Sequence, residues 1–460
     1  MPEARARRAF AEEVVVRLRQ AGFQAYWAGG CVRDILLGLS PADYDVATDA
    51  TPDQVMLTLP YRSLTMGASF GVVRVRHPRQ KGNEVEIATF RSDLAYVDGR
   101  RPTGVVYSTP REDAERRDFT INGMFMDPLN GEIVDFVGGR ADLDARVLRA
   151  IGDPAARFEE DKLRLLRALR FACRFDLKVE PRTLAAVKAM AAEVTVVSPE
   201  RIAQEMRRML AHGSRARAMD ALMACGLIAA VLPPLVETVG LFQGKPVQPE
   251  GDLWGHLLLT LQLLPASASF PLAFAALLHD AGKPATRQAH GGLGRASYHN
   301  HEVVGARIAD DLCRRLKLSN TERERVVWLV ANHQYLGEAK KLREAKLKRM
   351  LARPGIDELL ALHRADALAT TGNAEHVDYC EYYLEHQPTG PIDPPPLLTG
   401  HDLVRHGLKP GASFAAILEQ VREAQLERRI QNKREALELV DRELAGGEAR
   451  PAEASPSAAE

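Results

Sequence analysis

The sequence has few cysteines and no long hydrophobic run. The five cysteines among its 460 residues are scattered, with no CxxC pair. This fits a reduced protein that has neither a disulfide framework nor a cysteine-based zinc site. Apolar segments, such as residues 226–236 with their two prolines, are too short to cross a bilayer. The N-terminal segment MPEARARRAFAEEVVVRLRQ lacks the apolar centre of a signal peptide. We therefore expect a cytoplasmic protein with no membrane partner.

The chain also lacks an excess of charge of either sign. Lysine and arginine together number 61, and so do aspartate and glutamate. This balance argues against a protein held on nucleic acid by bulk charge, but it leaves room for local basic patches. The composition, 46% hydrophobic and 27% charged, is typical of a globular protein. A chain of this length is too long for one ordinary core, so we expect about two to four domains.

Strand signals are concentrated in the N-terminal third of the chain. A helix is followed by a short strand, a glycine pair and further strands at YDVAT, GVVRVRH and EVEIATF. After residue 152 the pattern becomes almost entirely helical. We therefore predict an α+β protein with a small mixed sheet in its head and helices elsewhere. The predicted regions are a head at 1–152, a helical neck at 153–240, a histidine-rich helical domain at 241–387, a helical tail at 388–445 and a disordered end at 446–460.

Two carboxylates stand at the start of the second predicted strand. Asp43 and Asp45 flank Tyr44, and the period-two geometry of a strand points both to the same side. Two adjacent carboxylates repel each other unless a cation lies between them, and Mg²⁺ prefers oxygen ligands. The alternative is a solvated strand end. Glu86 in EVEIATF is a possible third carboxylate, the alternative being an exposed glutamate.

A glycine turn lies upstream of this carboxylate pair. Gly29 and Gly30 follow a strand and open a helix, and backbone N–H groups at such a helix start bind anions. Arg33 adds a charge suited to a phosphate. No G-x-x-x-x-G-K-[ST] pattern occurs, so this is not a Walker loop.

Several motifs in order carry a family resemblance. The segments GGCVRDILLG, DYDVATDATP and RRDFTINGMFMDP resemble those of the class II (bacterial-type) CCA-adding tRNA nucleotidyltransferases and their poly(A) polymerase relatives, within the DNA polymerase β-like superfamily. The resemblance implies a template-independent polymerase that adds CCA to tRNA from CTP and ATP with Mg²⁺ held by catalytic Asp43 and Asp45. It implies nucleotide contacts for Arg117 and ribose or metal-site support for Asn122. A-only addition and poly(A) synthesis use the same motifs and stay open.

The segment EDKLR at residues 160–164 resembles the EDxxR motif, which acts in the family as a protein template for the incoming base. On a continuous helix Asp161 and Arg164 are neighbours at i,i+3, and one acceptor with one forked donor can pair with cytosine or adenine. Arg167 and Arg170 follow on the same half of the helix and suit the triphosphate. The alternative is a solvated face with ion pairs.

Two further segments match the family. Glu200, Arg201 and Glu205 resemble its ERxxxE element, which implies that they buttress the template helix. The glycine-, proline- and arginine-containing segment 91–106 is predicted to be a mobile loop. It resembles the family's flexible segment for terminal A addition.

The histidines of the helical region resemble those of the HD phosphohydrolases. His256, His279, Asp280 and Asp366 occur in the order of that superfamily. Imidazoles and carboxylates from separate helices can bind a divalent transition metal. We therefore expect a second metal site there, with a purely structural domain or an HD phosphohydrolase as alternatives. His301 lies downstream in the same series, the alternative being that His301 and Glu302 are exposed polar residues.

Overall fold

A computed structural model of the protein describes residues 2–65, 71–80, 82–93, 105–242, 251–289, 296–386 and 390–447. The predicted mobile loop falls largely on residues 94–104, and most of the predicted disordered end falls on residues 448–460; both lie outside the described residues. The chain forms two compact units, one of Met1–Gln262 and Ala266–Val327 and one of Leu263–Pro265 and Trp328–Glu460. The predicted histidine-rich domain at 241–387 thus contributes to both units, and its boundaries stay a prediction.

The head is built on a mixed sheet of seven strands in the order β3-β4-β5-β2-β1-β8-β9. The strands β2 and β5 are parallel and the other neighbours are antiparallel. The remaining strands β6 and β7 pair with each other. The strands of the head are β1 Ala25–Ala28, β2 Asp45–Thr48, β3 Arg62–Thr65, β4 Val72–Arg76, β5 Glu84–Thr89, β6 Arg91–Asp93, β7 Val105–Tyr107, β8 Met124–Met126 and β9 Ile133–Asp135.

Five helices accompany this sheet. They are α1 Pro2–Gln20, α2 Gly30–Leu36, α3 Pro52–Thr58, α4 Pro110–Glu115 and α5 Gly139–Asp144. The apolar face of α1 buries Phe10, Val14 and Leu18 completely or nearly so, and α2 packs on β1 and β8. The central strand of the sheet is β2, and the end of β1 lies beside the start of β2 because Ala28 pairs with Asp45.

The rest of the first unit is helical, as expected. The main helices that begin in it are α6 Pro154–Glu160, α7 Leu163–Phe175, α8 Pro181–Ala189, α9 Pro199–Leu210, α10 Arg215–Ala224, α11 Leu227–Val231, α12 Leu253–Leu263, α13 Phe270–Leu278, α14 Lys283–Thr286, α15 His301–Arg315 and α16 Asn320–Asn332. The last residue of α12 and the end of α16 from Trp328 belong to the second unit. Two short strand pairs interrupt these helices, β10 Val147–Leu148 with β11 Lys178–Val179, and β12 Gln288–Ala289 with β13 Ala296–Ser297.

The second unit is all-helical in its described part. It contains α17 Glu344–Leu351, α18 Ile356–Thr371, α19 Glu375–Glu385, α20 Gly400–Arg405, α21 Ser413–Leu426 and α22 Lys433–Gly447. The last three helices share a core formed by Leu403, Ile417, Val421 and Val440. The α+β fold class is thereby confirmed. Among the described helices none is long and apolar enough to cross a membrane.

Candidate active site

The glycine turn between β1 and α2 forms one wall of a cleft in the head. Gly29 has a φ of 68°, and its N–H donates to the carbonyl of Met124 at 3.1 Å. A Cβ at this position would lie 2.7 Å from Nη1 of Arg117. Glycine is therefore required twice over, for its left-handed backbone and for the close approach of the arginine.

Arg33 lies one turn into α2 and is buried. Its Nη1 donates to Oδ1 of Asn122 at 2.5 Å, and its Nε and Nη2 donate to Asp34. Its guanidinium carbon is 4.2 Å from the ring centroid of Phe175. Burial lowers the pKa of Arg33, and the Asp34 carboxylate opposes that effect. The charge is thus held in one orientation at the cleft, as a phosphate site requires.

The two predicted carboxylates open onto this cleft. Asp43 precedes β2, and Asp45 is its first residue. Between them Tyr44 points inward and packs on Trp27, with ring centroids 4.7 Å apart, so the alternation of the strand leaves both carboxylates on the outer side. Desolvation by the surrounding protein raises the pKa of Asp45 to about 6, and the nearby carboxylate of Glu86 makes a smaller contribution in the same direction.

Glu86 lies next to Asp45 in the sheet, because β2 and β5 pair in the register that puts the two residues side by side. Its carboxylate accepts a hydrogen bond from Arg74 on β4 at 2.5 Å. Asp43, Asp45 and Glu86 are not among the groups in the described part of the chain that bring three ligand atoms within 4.8 Å of one another. The assignment of Glu86 as a third metal ligand therefore stays a prediction.

The predicted continuous helix through residue 161 is wrong. Helix α6 ends at Glu160, Asp161 has the extended backbone angles φ −152° and ψ 102°, and α7 begins at Leu163. The break arises because the Asp161 side chain competes with the helix: its Oδ1 accepts the N–H of Leu163 at 3.1 Å. Asp161 and Arg164 still flank one corner of the cleft, but not as neighbours on one helix.

Arg201 of α9 also binds the carboxylate of Asp161. Its Nη1 and Nη2 donate to the two oxygens of Asp161 at 3.1 and 2.7 Å. Arg164 is fixed too, because its Nη1 donates to Glu160 at 2.5 Å and to the carbonyl of Arg157 at 2.7 Å. The predicted acceptor and donor are therefore both oriented by protein contacts before any base is present.

A further carboxylate, which the sequence reading missed, connects several predicted residues. Asp118 accepts hydrogen bonds from Arg167 at 2.9 and 2.5 Å and from Asn122 at 3.0 Å. Burial raises the pKa of Asp118, but Arg167 and the Asn122 hydrogen bond outweigh burial and lower it to about 2. The signal was available, since an acid inside the arginine-rich motif RRDFTIN needs a partner once it is buried.

The predicted buttress is only partly placed against α7. Glu205 is buried and accepts from Arg170 at 2.5 Å and from Arg208 at 2.9 Å, and Arg201 holds Asp161 as described. Glu200 instead lies exposed and accepts from Lys317 at 2.8 Å. Its buttress role stays a prediction.

These elements enclose a cleft of about 610 Å³. Nine arginines and four aspartates line it, which makes it a strongly cationic site suited to a nucleoside triphosphate. Predicted residues on its lining are Gly29, Gly30, Arg33, Asp43, Asp45, Arg117, Asn122, Asp161, Arg164, Arg167, Arg170 and Arg201. Unpredicted ones include Arg116, Asp118, Phe171, Arg174 and Arg208.

A second cluster of polar side chains lies in the helical part of the first unit. His256, His279 and Asp280 each offer a ligand atom within 4.8 Å of the others, and all three are buried. His301 is buried, with its Nε2 3.1 Å from Oδ1 of Asp280. The alternative of an exposed His301 does not hold, because α15, which begins at this residue, packs against α14. Asp366 belongs to the second unit.

The histidines of this cluster present their Nε2 atoms to Asp280. Nδ1 of His279 lies 2.8 Å from the carbonyl of Ala276. A carbonyl can only accept, so Nδ1 carries the proton and a neutral ring leaves Nε2 as a metal-binding lone pair. Lys283, 2.6 Å from Asp280, and His279 hold the pKa of that carboxyl well below its usual range, although burial raises it. The donor set fits a divalent metal.

Three family models match the chain in succession. The poly A polymerase head domain matches residues 25–149, the probable RNA- and SrmB-binding site of polymerase A matches 176–238, and the HD domain matches 253–371. A crystal structure of a Bacillus stearothermophilus CCA-adding enzyme in complex with CTP is 25% identical, with a TM-score of 0.69 over 95% of this chain and 98% of that one. The chain thus carries a poly A polymerase head domain, the probable RNA-binding segment of that polymerase and an HD domain in succession, and it shares the fold of a CCA-adding enzyme.

Curated CCA-adding enzymes are similar to about half of the chain. CCA-adding enzymes of Bacillus licheniformis and Bacillus pumilus are 35% and 41% identical over 55% and 46% of this chain. These alignments span 64% and 52% of the length of those relatives. A Thermotoga maritima CCA-adding enzyme complexed with tRNA, 19% identical with a TM-score of 0.59 over 95% of both chains, shares the fold.

Proposed function

We propose that this protein is a cytoplasmic tRNA nucleotidyltransferase that adds the 3′-terminal CCA to tRNA from CTP and ATP without a nucleic-acid template. The observation that carries the proposal is the convergence of the glycine turn, the carboxylates of Asp43 and Asp45, and the fixed pair Asp161 and Arg164 on one arginine-lined cleft. The names of the family members above, and the ligands CTP and tRNA in their structures, support the same activity.

The reaction joins the tRNA 3′-hydroxyl to the α-phosphate of the nucleotide and releases pyrophosphate, so catalysis is mainly positioning and charge stabilisation. Family members depend on divalent metal ions. Asp43 and Asp45 would hold Mg²⁺, which supplies Lewis-acid stabilisation of charge at the reacting phosphate. The pKa of Asp45 is raised to about 6 mainly by desolvation and to a smaller extent by the carboxylate of Glu86, and a bound cation would offset both effects.

The arginines have a separate task in this proposal. Arg33, Arg117, Arg167 and Arg170 are each held by a carboxylate or an amide of the protein, so their remaining N–H groups face the cleft in fixed directions. Preorganised donors of this kind stabilise a triphosphate at little cost in side-chain entropy.

The selection of cytosine and adenine falls to Asp161 and Arg164. An acceptor and a forked donor satisfy the edges of these two bases and leave uracil or guanine with mismatched groups. Both side chains are oriented by the protein, so a wrong base cannot easily be accommodated by their rotation.

The deciding experiment uses tRNA that lacks its CCA end, with CTP and ATP supplied singly and together. CCA addition predicts two cytidines with CTP alone and complete CCA with both nucleotides. An A-adding enzyme would extend only tRNA that already ends in CC, and a poly(A) polymerase would make long adenosine tracts from ATP alone. Absence of any incorporation would refute the proposal as a whole.

A second activity is favoured by the histidine cluster. Its buried His256, His279 and Asp280 fit a divalent transition metal that could activate water for phosphate hydrolysis. The test, with Mn²⁺ or Ni²⁺ present, is opening of 2′,3′-cyclic nucleotides to nucleoside monophosphates and release of phosphate from phosphomonoesters. Since this cluster and the cleft use different residues, the two activities can be lost separately.

A further inference from the structure

The break between α6 and α7 is held at two successive residues by one neighbouring segment. Arg201 donates hydrogen bonds to both carboxylate oxygens of Asp161. The next residue, Lys162, extends its ammonium group to Glu193 at 2.5 Å. Glu193 lies in the short 3-10 helix Ala191–Val196, which precedes α9 in the chain. The segment 191–201 therefore fixes both the side chain of Asp161 and the backbone that follows it.

Lys162 is an unusual residue for such a place, because only 4% of it is exposed. Its ammonium group also contacts Glu159 of α6, whose side chain is 71% exposed, whereas that of Glu193 is 48% exposed. Burial lowers the pKa of Lys162, but the two carboxylates outweigh burial and raise it. The lysine is therefore charged, and a buried charge is strongly tied to its partners.

The ion pair between Lys162 and Glu193 can affect the orientation of cleft residues, but it does not itself contact the cleft. Neither Lys162 nor Glu193 is among the described residues that line the cleft. The carbonyl of Lys162 accepts the N–H of Leu165, and that of Asp161 accepts the N–H of Arg164. Lys162 thus immediately precedes α7 and lies between the acceptor Asp161 and the donor Arg164 that are proposed to face the base.

We propose that the ion pair between Lys162 and Glu193 positions Asp161 relative to Arg164 and so sets the accuracy of base choice. This inference rests on the proposed nucleotide addition. Glu159 belongs to the same chain segment as Lys162, so that contact does not link the break to a neighbouring segment. The contact with Glu193 does link the break to a neighbouring segment, so we assign the positioning of Asp161 to this ion pair. Because hydrogen bonds weaken steeply with misalignment, a small displacement of Asp161 costs more for the correct bases than for wrong ones, which already pair badly.

The test compares Lys162→Met, Lys162→Arg and Glu193→Gln with the matched control Glu159→Gln, which removes a charge from the same lysine. The first readout is the ratio of kcat/KM for CTP to that for UTP on one tRNA substrate. The second is amide hydrogen exchange of residues 160–166 in the protein without nucleotide, which does not depend on activity. Thermal unfolding monitors the fold.

We expect Lys162→Met and Glu193→Gln to lower the ratio by roughly tenfold and to speed amide exchange. Lys162→Arg should restore both readouts, and Glu159→Gln should change neither. Unchanged exchange in Glu193→Gln, faster exchange with an unchanged ratio, or equal effects of the two glutamate substitutions would each overturn the inference. If the unmodified protein incorporates no nucleotide, the proposed function fails instead, and exchange alone then shows whether Glu193 holds the break.

Discussion

Arg201 donates two hydrogen bonds to Asp161, one to each carboxylate oxygen, at 3.1 and 2.7 Å. The same carboxylate accepts the N–H of Leu163 and so begins α7. A carboxylate has about four acceptor positions, so three protein donors leave room for one contact with a base. The acceptor proposed to read the base is thus also bound to the backbone of α7, and its direction is set by the fold.

Replacing Arg201 by Lys should impair catalysis without unfolding the protein. Lysine keeps the charge but cannot make the two parallel hydrogen bonds, so kcat/KM for CTP and ATP should fall roughly tenfold, or ~1.4 kcal/mol. The matched control is Arg207→Lys on the same helix, because Arg207 makes a similar two-bond contact with Glu322, at 3.0 and 2.8 Å, away from the cleft. Equal losses in both variants would contradict the specific role of Arg201.

Replacing Asp43 or Asp45 by Asn should reduce activity without reducing stability. Asn at either position removes a negative ligand, and nucleotide addition should fall by roughly 10²–10³ or more. The melting temperature of Asp45→Asn should not fall, since this change also removes repulsion from Glu86. Near-normal incorporation by Asp43→Asn would contradict the assignment of the cleft.

Local sequence patterns were enough to predict the glycine turn and the shared side of Asp43 and Asp45. The glycine turn needs a positive φ at Gly29, and the alternation around Tyr44 follows from the strand period alone. Both features depend on residues within a few positions of one another. The order of motifs then pointed by resemblance to further residues that line the cleft, such as Arg117, Asn122 and Asp161, but not to Asp118.

The feature of the site that was predicted wrongly depends on contacts between residues that are far apart in the chain. Helical periodicity predicted an unbroken helix through Asp161, whereas the Asp161 side chain accepts the N–H of Leu163 and is held in that position by Arg201, which is distant in the chain. The alternative that His301 is exposed fails because the packing of α15 buries it. In both cases a contact between remote segments contributes, and helical periodicity does not encode such contacts.

The histidine cluster should be separable from nucleotide addition. His279→Ala and His301→Ala should each weaken binding of Mn²⁺ or Ni²⁺, measured by calorimetry on the metal-stripped protein. Incorporation of CTP and ATP should stay within a few-fold of normal, because the cleft uses other residues. If the unmodified protein binds no divalent metal beyond the head site, the cluster is structural.

Acid should weaken the contact between Asp118 and Arg167. The pKa of Asp118 is about 2 in the folded protein and about 3.9 in an unfolded chain. A lowered pKa stabilises the fold above the unfolded value, by ~2 kcal/mol here, and that stabilisation is lost as the pH falls toward 2.

Urea unfolding of the unmodified protein and Asp118→Asn measures this effect. The difference in unfolding free energy should be largest near pH 5 and should shrink by about half near pH 3. Asp144→Asn, which removes an exposed ion pair with Arg140, should show no comparable pH dependence. A difference that stays constant from pH 5 to pH 3 would show that Asp118 does not act through its charge.

Base choice provides the most direct test of the proposed function. Asp161 and Arg164 together should discriminate by roughly 1–3 kcal/mol, the range for good bidentate recognition of a base, or about ten- to a hundredfold. Asp161→Ala and Arg164→Ala should therefore lose efficiency with CTP and ATP and narrow the gap to UTP and GTP. The triphosphate contacts proposed for Arg33, Arg117 and Arg167 remain, so general nucleotide binding should weaken only modestly. The measurement is kcat/KM for all four nucleotides on one tRNA substrate. If all four fall by the same factor, these two residues support the fold or the phosphates, and base selection lies elsewhere in the cleft.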